Sequence, residues 1–298
     1  MTLEVLFVLA MTSLGAATVN GALGYGYSSI SVPIALLVVT GRVLNPALVI
    51  IEVVVNLYAL AINWRNVHKV WRRVMPLSIG LVPGVIAGSL LLGTIATGDA
   101  KLVAYAVLLP LILVQASGKR FPLRNERAAS VPLGAGVGVL YGLTTISGPP
   151  LALFWNNQGL EKDEFKVALA LVRSIESVCA LAAYAYLGLL TQESASLLPW
   201  LAPGVLIGFP FGHWLVRKVG IETFRRVCMS FDAYLVSFGL ARVLTTFGVA
   251  PALAYQTMVV TALIDARLLW TFFRGTPGRK SDPGLEVPPL EPPLRATA

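Results

Sequence analysis

Four long apolar runs constrain the fold of this chain more than any other feature. They cover residues 45–62, 74–96, 101–117 and 227–246. Each is long enough to cross a hydrocarbon layer of ~30 Å as an α-helix that rises ~1.5 Å per residue. Only 13% of the residues are charged, whereas roughly a quarter are charged in a soluble domain. The sequence therefore predicts a polytopic α-helical membrane protein.

Basic residues are concentrated in alternate connections between the apolar runs. Two connections hold only Arg42 and Lys101. Three others carry four basic residues each: Arg65, Lys69, Arg72 and Arg73; Lys119, Arg120, Arg124 and Arg127; and Arg217, Lys218, Arg225 and Arg226. Cytoplasmic loops of membrane proteins show this excess. The net charge of +8 therefore indicates topology, and we expect no nucleic-acid partner.

Three short sequence blocks recur in the same order along the chain. They are "YGYSSISVP" (25–33) with "YGLTTISGP" (141–149), "ALVIIE" (47–52) with "ALALVR" (168–173), and "LVPGVIAG" (81–88) with "LAPGVLIG" (201–208). The second pair places Glu52 opposite Arg173. Recurrence at a fixed order predicts two homologous halves.

Five apolar segments are predicted in each half, and one more follows them. They are 3–24, 30–40, 45–63, 74–96 and 101–117; then 129–143, 148–157, 164–189, 197–216 and 224–247; then 251–273. Because five is odd, the second half enters the membrane from the opposite side. The prediction is an all-α polytopic membrane protein with two inverted-topology repeats, broken or re-entrant helices and an extra C-terminal span. Whether 30–40 and 148–157 span fully or turn back is left open.

The same scheme gives the domain organisation and the topology. Its parts are a first transmembrane repeat (1–118), a basic cytoplasmic linker (119–128), a second repeat (129–247), an additional transmembrane helix (248–273) and a Pro-rich disordered cytoplasmic tail (274–298). We expect a multi-pass protein of the cell membrane, with its N-terminus outside and its C-terminus in the cytoplasm. Membrane lipid is an expected partner, and a homodimer is left open.

Inverted repeats with broken helices are typical of secondary transporters, whose sites lie near the membrane midplane. Segments of about ten residues rise only ~15 Å, half of the hydrocarbon thickness. A helix N-terminus at that depth presents free N–H groups and a partial positive charge, which favour an anion. The sequence therefore predicts a small anionic substrate. It contains no GxxxxGK[ST] loop, so we do not expect this chain to pump with ATP.

The chain resembles the sulfite exporter TauE/SafE family of anion permeases over residues 5–247. The resemblance depends on the glycine-rich break before Pro33, on "GLTTISGPPLALF" (142–154) and on the "PG…G" helices at 83 and 203. It implies a transporter, with export as the expected direction, of sulfite, sulfate or organosulfonates across the cytoplasmic membrane, and no enzyme or cofactor. Family members commonly have a run of glycines at the first break, where this chain has tyrosines and serines.

Hydroxyl and glycine residues at the two breaks are the first candidates for substrate binding. The hydroxyls of Ser28, Ser29, Thr144, Thr145 and Ser147 could donate hydrogen bonds to an oxyanion. Alternatively, they cap helices or bond to neighbouring carbonyls, as Ser and Thr often do in membranes. Gly26 and Gly148 permit close approach of the backbone to a ligand, or else tight helix packing. Pro33, Pro149 and Pro150 are interpreted as helix breakers.

Ionisable residues in the middle of apolar segments are the second group of candidates. Arg173 and Glu176 lie within 164–189, and Glu52 lies within 45–63 with Asn56 one turn later. Such residues are costly in a membrane and indicate function by default. We expect Arg173 to bind the anion and Glu52 or Glu176 to supply proton or charge coupling. Asn56 could hydrogen-bond the substrate or only join helices. For Glu52 and Arg173, the alternative is a structural ion pair that joins the two halves.

Two other functions are left open by the sequence. One is transport of a different small solute by the same architecture. The other is an intramembrane hydrolase that uses Ser147 with His213, which the duplication of the serine motif disfavours. Only one further histidine, His68, is present, so no metal site is expected.

Overall fold

The computed structural model describes residues 3–62, 64–117, 125–160, 162–219 and 221–274. These residues form twelve α-helices and one 3₁₀-helix, and none of them is in a β-strand. The elements are α1 (Leu3–Leu23), α2 (Tyr27–Ala35), α3 (Gly41–Ile62), η1 (Trp64–Asn66), α4 (Val67–Thr94), α5 (Thr97–Ala116), α6 (Glu126–Thr144), α7 (Gly148–Asn157), α8 (Lys162–Tyr186), α9 (Gln192–Ala195), α10 (Leu198–Val219), α11 (Ile221–Thr246) and α12 (Pro251–Arg274).

Eight stretches are long and apolar enough to cross a membrane: α1, α3, η1 with α4, α5, α8, α9 with α10, α11 and α12. The all-α, multi-pass prediction is confirmed, and α12 is long and apolar enough to be the predicted extra span. The two segments predicted to be short are short, since α2 has 9 residues and α7 has 10. The predicted tail from 275 onward and residues 119–124 of the predicted linker lie outside the described residues. The domain limits therefore stay a prediction.

Several predicted boundaries are wrong by a few residues, in the direction of longer or earlier helices. α2 begins at Tyr27 rather than 30, and α6 begins at Glu126, inside the predicted linker. The basic residues predicted to lie in loops mostly belong to helix ends: Lys69, Arg72 and Arg73 to α4, Arg217 and Lys218 to α10, and Arg225 and Arg226 to α11. Exposed residues such as Lys69 and Arg72 tolerate helix ends because the charged tips of long basic side chains can extend toward water. Helix α9 was not predicted.

Glycines set the two tightest helix pairs. Helix α4 packs against α6, where a Cβ on Gly84 or Gly88 would overlap the carbonyl oxygen of Ala135 or Val139. Helix α10 packs against α1 in the same way, since a Cβ on Gly208 would approach the carbonyl oxygen of Leu14. Without a hydrophobic driving force between helices in lipid, such close backbone contact is a main source of association. These two pairs hold α1 and α6 in place.

Helices α1 and α2 meet at one chain break, and α6 and α7 meet at another. The first break lies near the end of α5, because Gln115 Nε2 donates to Tyr25 Oη at 2.9 Å. The second lies near the start of α3, because Asn45 Nδ2 donates to the Leu143 carbonyl at 2.8 Å. The start of α3 and the end of α5 are at opposite ends of the bundle, so the two breaks approach from opposite directions. We call the end with η1 and the starts of α4 and α11 the basic end.

The two copies of the nine-residue motif are not structurally equivalent, which corrects the predicted alignment. The short helices α2 and α7 begin after N-cap residues Gly26 and Ser147, 121 positions apart, whereas the matched motifs are 116 apart. "YGYSSISVP" therefore runs into α2, but "YGLTTISGP" ends α6 and spans the break. Pro33 accordingly lies inside α2 and does not break it, whereas Pro149 is in the first turn of α7. Small and hydroxyl residues are common at such breaks, so two breaks can align in sequence at an offset that differs from the structural one.

Candidate functional site

Arg173 is the centre of a buried polar group that connects five helices. Its Nη2 lies 2.8 Å from Glu52 Oε1 and its Nη1 donates to Asn20 Oδ1 at 3.2 Å. Its Nε lies 3.8 Å from Glu176 Oε1, one turn along α8. Both Glu52 and Arg173 are near the middle of their helices, and the side chains of both are 1% exposed. The repeat alignment indicated that these two residues could meet, and the structure places them in contact.

Glu52 accepts hydrogen bonds on both carboxyl oxygens. Ser28 Oγ donates to Oε1 at 2.7 Å from the first turn of α2, and Tyr141 Oη donates to Oε2 at 2.6 Å from α6. Together with Arg173, these donors come from three helices that are distant in sequence. A buried carboxylate is tolerated when it is both paired and hydrogen-bonded in this way. Glu52 is therefore fully satisfied in this arrangement.

Glu176 is less well satisfied than Glu52. Ser147 Oγ, at the N-cap of α7, donates a short hydrogen bond to Glu176 Oε1. Its Oε2 has no hydrogen-bond partner among the described residues, and the same is true of Arg173 Nε. A buried polar atom without a partner costs about 1–3 kcal/mol. The Arg173–Glu176 side of the group thus holds spare hydrogen-bonding capacity.

Asn56 holds the backbone of α8 beside the ion pairs. Its Nδ2 donates to the Arg173 carbonyl at 3.2 Å and lies 3.5 Å from Ser177 Oγ. Through these contacts Asn56 joins α3 to α8, which is the structural alternative given above. We name the set Asn20, Ser28, Glu52, Asn56, Tyr141, Ser147, Arg173 and Glu176 the central cluster.

The remaining predicted hydroxyls bond to nearby carbonyls rather than to the central cluster. Thr144 Oγ1 donates to the Leu140 carbonyl at 2.6 Å and Thr145 Oγ1 to the Thr144 carbonyl at 2.6 Å. Ser29 Oγ donates to the Gly26 carbonyl at 3.2 Å. These are the local contacts that the alternative interpretation expected. Substrate contacts by these three residues stay a prediction.

The two breaks meet at Gly26 and Gly148. A Cβ on Gly148 would lie 3.5 Å from the Gly26 backbone nitrogen and 3.2 Å from the Tyr25 ring. Gly26 has φ 108°, a conformation that other residues seldom adopt. The N-terminal ends of α2 and α7 therefore approach each other beside the central cluster. Their partial positive charges favour negative groups there, and Glu52 and Glu176 supply these groups.

Two members of the central cluster were missed by sequence reasoning. Asn20 is a single amide in the apolar helix α1, and Tyr141 is the first residue of the repeated motif. An amide inside an apolar membrane helix could have indicated Asn20, since such groups bond across helices. No sequence signal indicated that the Tyr141 hydroxyl would reach Glu52, because that contact joins residues 89 positions apart.

The central cluster is enclosed. Arg173, Glu52 and Glu176 are at most 1% exposed, and Ser28, Asn20 and Asn56 at most 4%. Among the described residues, no three His, Cys, Asp or Glu side chains are placed to hold a metal ion. A solute can reach Arg173 only when helices or side chains move.

A bundle of candidate membrane-spanning helices with a buried ionic cluster beside two chain breaks is typical of membrane transport proteins. The sequence comparison specifies the family. Residues 9–238 match the family described as Sulfite exporter TauE/SafE, so the chain belongs to the TauE/SafE sulfite exporter family. This confirms the resemblance described above.

One curated relative is similar to the chain over part of its length. It is described as a probable sulfite/organosulfonate exporter TauE of Cupriavidus necator (strain H16), and it is 28% identical over 175 residues. These residues are 57% of this chain and 68% of the relative. No solved structure matches the chain.

Family membership makes the protein a membrane transporter and not an enzyme. The hydrolase alternative is therefore wrong. The structure gives a physical reason as well, because Ser147 is buried against Glu176, whereas His213 is exposed on α10. The partner of the Ser147 hydroxyl is therefore the Glu176 carboxylate and not the histidine that the hydrolase alternative named.

Proposed function

We propose that the protein is a secondary transporter that exports small sulfur oxyanions or organosulfonates, such as sulfite, with Arg173 as the anion-binding residue. One observation carries this proposal: the buried guanidinium of Arg173 lies where the N-terminal ends of α2 and α7 converge. The export direction and the substrate class are supported by the family and by the relative's description.

Charge balance indicates how binding would be coupled. With all three groups ionised, Glu52, Arg173 and Glu176 carry a net charge of −1, which repels an anion. A substrate anion that binds Arg173 must therefore displace a carboxylate from the guanidinium, or it must arrive with a proton that neutralises one of the two carboxylates. Glu176 is the better candidate for this role, because its contact with Arg173 is 3.8 Å whereas that of Glu52 is 2.8 Å.

The hydroxyls nearest to the ion pairs complete the proposed binding site. Ser28 and Ser147 donate to the two carboxylates, and either hydroxyl can turn to a substrate oxygen when its carboxylate is displaced or protonated. Gly26 and Gly148 allow the two helix ends to come within contact of a ligand. Ser29, Thr144 and Thr145 belong to an outer group that contributes only if the backbone at the breaks rearranges.

The proposal includes the inverted repeat and the membrane orientation. Its support is reciprocal packing at an offset of 120 or 121 residues, at which α1 corresponds to α6 and α4 to α10. The pair α4–α6 then corresponds to α10–α1, and both pairs depend on glycines at corresponding positions, Gly84 with Gly204 and Gly88 with Gly208. The positive-inside rule puts the basic end in the cytoplasm, with the N-terminus outside and the C-terminus inside.

Flux into proteoliposomes tests the proposal. Labelled sulfite, sulfate and a short sulfonate are offered with and without a pH gradient and without nucleotide. We expect flux of at least one anion, dependence on the pH gradient, and loss of at least about 100-fold in kcat/KM in Arg173→Gln, since a buried charge contact is worth several kcal/mol. Glu176→Gln is expected to transport but to lose the dependence on the pH gradient.

Arg226→Gln is the matched control, because Arg226 is also buried and lies 3.4 Å from a carboxylate, that of Asp265, outside the central cluster. Equal loss of flux in Arg226→Gln and Arg173→Gln would indicate a general folding defect and contradict the assignment of Arg173. Wild-type flux of other solutes, with none of the three anions moving, would favour the alternative of a different small solute.

A further inference from the structure

A cavity of about 230 Å³ opens at the end of the bundle opposite the basic end. It lies between the end of α2, the start of α5 and the end of α11, and its lining includes Lys101, Tyr105, Arg242 and Thr246. Among the described residues that line it, none is acidic. Its volume is below the ~300–1,000 Å³ of drug-sized sites, so it suits a small solute.

The two cations of this cavity are held differently. Lys101 is half-buried, and its Nζ donates to the Leu36 carbonyl at the end of α2 at 2.6 Å. Arg242 is exposed at the end of α11, and within the described part of the chain its guanidinium has no hydrogen bond or ion pair with protein. A structural role at a helix end accounts for Lys101 but leaves Arg242 unexplained.

A narrower space adjoins this cavity. It shares Leu36 and Lys101 with the cavity, and at about 20 Å³ it holds about one water molecule. Arg42 lines it, with its guanidinium donating to the carbonyls of Leu92, Gly93 and Ile95 at the end of α4.

The inner end of the narrow space reaches the second chain break. Thr144 and Asn45 line it, and Thr144 is three residues before Ser147 of the central cluster. Asn45 is 2% exposed, yet its Oδ1 has no hydrogen-bond partner among the described residues. An unpartnered acceptor in a space of this size indicates a position for water or for a protonated oxyanion.

We propose that this cavity is an anion vestibule, in which Lys101 and Arg242 attract a small oxyanion and the passage beside Arg42 and Asn45 leads it to or from Ser147. This inference rests on the proposed function and adds the route on the side away from the basic end. A cleft lined by one sign of charge raises the local concentration of counter-charged solutes and their association rate. Asn45 is buried in this structure, which agrees with the enclosed central cluster.

The test compares Arg242→Gln and the double variant Lys101→Gln/Arg242→Gln with wild type for anion uptake from the vestibule side. We expect the KM at low ionic strength to rise about threefold for the single variant and about five- to tenfold for the double variant, since charges a few ångströms from the anion act in a partly aqueous medium. The kcat is expected to stay within about twofold, because the vestibule acts before the anion reaches Arg173. High salt screens exposed charges, so the KM difference is expected to disappear near about 0.5 M salt.

Lys69→Gln/Arg72→Gln is the matched control, because it removes two exposed cations at the basic end. A wild-type KM at low ionic strength in both vestibule variants, or an equal rise in the control, overturns the vestibule. Arg242→Gln keeps the test valid if loss of the Lys101 contact impairs folding. If the wild-type protein moves no anion, the proposed function fails. If the wild-type protein moves anions and the vestibule variants keep its KM, only the vestibule fails.

Discussion

The helix pairs α1–α2 and α6–α7 achieve the same geometry with different residues. Each pair places a serine at the start of its short helix against a buried carboxylate, Ser28 on Glu52 and Ser147 on Glu176. The first break uses Gly24 and Gly26 at positive φ, whereas the second uses a threonine. The comparison shows that the carboxylate contact is common to both breaks, while the means of turning the chain are not.

The largest expected effects come from the glycine contacts that hold the two pairs in place. Gly84→Leu and Gly208→Leu would drive a side chain into the backbone of α6 and α1, respectively. Overpacking of this kind costs about 3 kcal/mol or more where backbone cannot shift. We expect both variants to lose folded protein, measured as the fraction that stays monodisperse after heating in detergent.

Gly136→Leu on α6 and Gly15→Leu on α1 are the controls for that experiment. A Cβ at either position would meet nothing within 4 Å. Both should stay close to wild type. Losses as large as those of Gly84→Leu and Gly208→Leu would contradict the packing explanation and indicate that any leucine on these helices is harmful.

The second prediction separates the two serine–carboxylate contacts. Ser147→Ala removes the one hydrogen bond that Glu176 accepts from the described residues, while Ser28→Ala leaves Glu52 with Tyr141 and Arg173. Loss of a donor to a buried carboxylate costs about 1–3 kcal/mol. We expect Ser147→Ala to lower both thermal stability and anion kcat/KM more than Ser28→Ala does. The reverse order would show that Glu52 is the less well supported carboxylate.

The sequence predicted the helical class and most spans because apolar length is a local property. It also indicated that Glu52 and Arg173 could meet, because the block at 47–52 aligns with 168–173, and the two side chains are in contact. The contact of Tyr141 with Glu52 and the bonds of Asn20 depend on how distant helices pack. No local pattern encodes such contacts.

The motif alignment failed for a related reason. Residues 25–33 and 141–149 share small and hydroxyl residues, and such residues suit both a helix start and a helix end. The glycine pairs Gly84 with Gly204 and Gly88 with Gly208 have the offset of 120 that the packing uses. Residues constrained by close backbone contact are therefore better markers of the proposed repeat than residues at the breaks.

The third prediction tests the two ways of turning the chain. Gly26 has φ 108° and Thr145 has φ 60°. Left-handed backbone costs a residue with a Cβ roughly 1–2 kcal/mol, and a Cβ at Gly26 would also lie 2.9 Å from Val19. We expect Gly26→Ala to destabilise the protein by about that amount in thermal unfolding.

Thr145→Gly is the opposite change at the second break. It removes the backbone strain and the local bond to the Thr144 carbonyl together, so stability should change by less than about 1 kcal/mol. A destabilisation as large as that of Gly26→Ala would show that the Thr145 side chain, and not its backbone angle, is what the second break requires.

The smallest expected effect concerns the C-terminal ends of the short helices α2 and α7. At each of these ends, one basic residue donates a hydrogen bond to the carbonyl of the residue that follows the helix. Arg73 Nη2 donates to the Gln158 carbonyl beyond α7 at 3.1 Å, and Lys101 donates to the Leu36 carbonyl beyond α2. Arg73 is also paired with Glu126, but the two side chains are 35% and 24% exposed, and pairs of this kind contribute at most about 1 kcal/mol. Arg73→Gln and Lys101→Gln should therefore lower the unfolding temperature by similar small amounts.

The two variants should differ in transport. Lys101→Gln should raise the KM for anion uptake and Arg73→Gln should not, since Lys101 lines the vestibule and Arg73 does not. An equal rise in both variants would mean that fixing the end of a short helix, and not the charge beside the cavity, sets the KM.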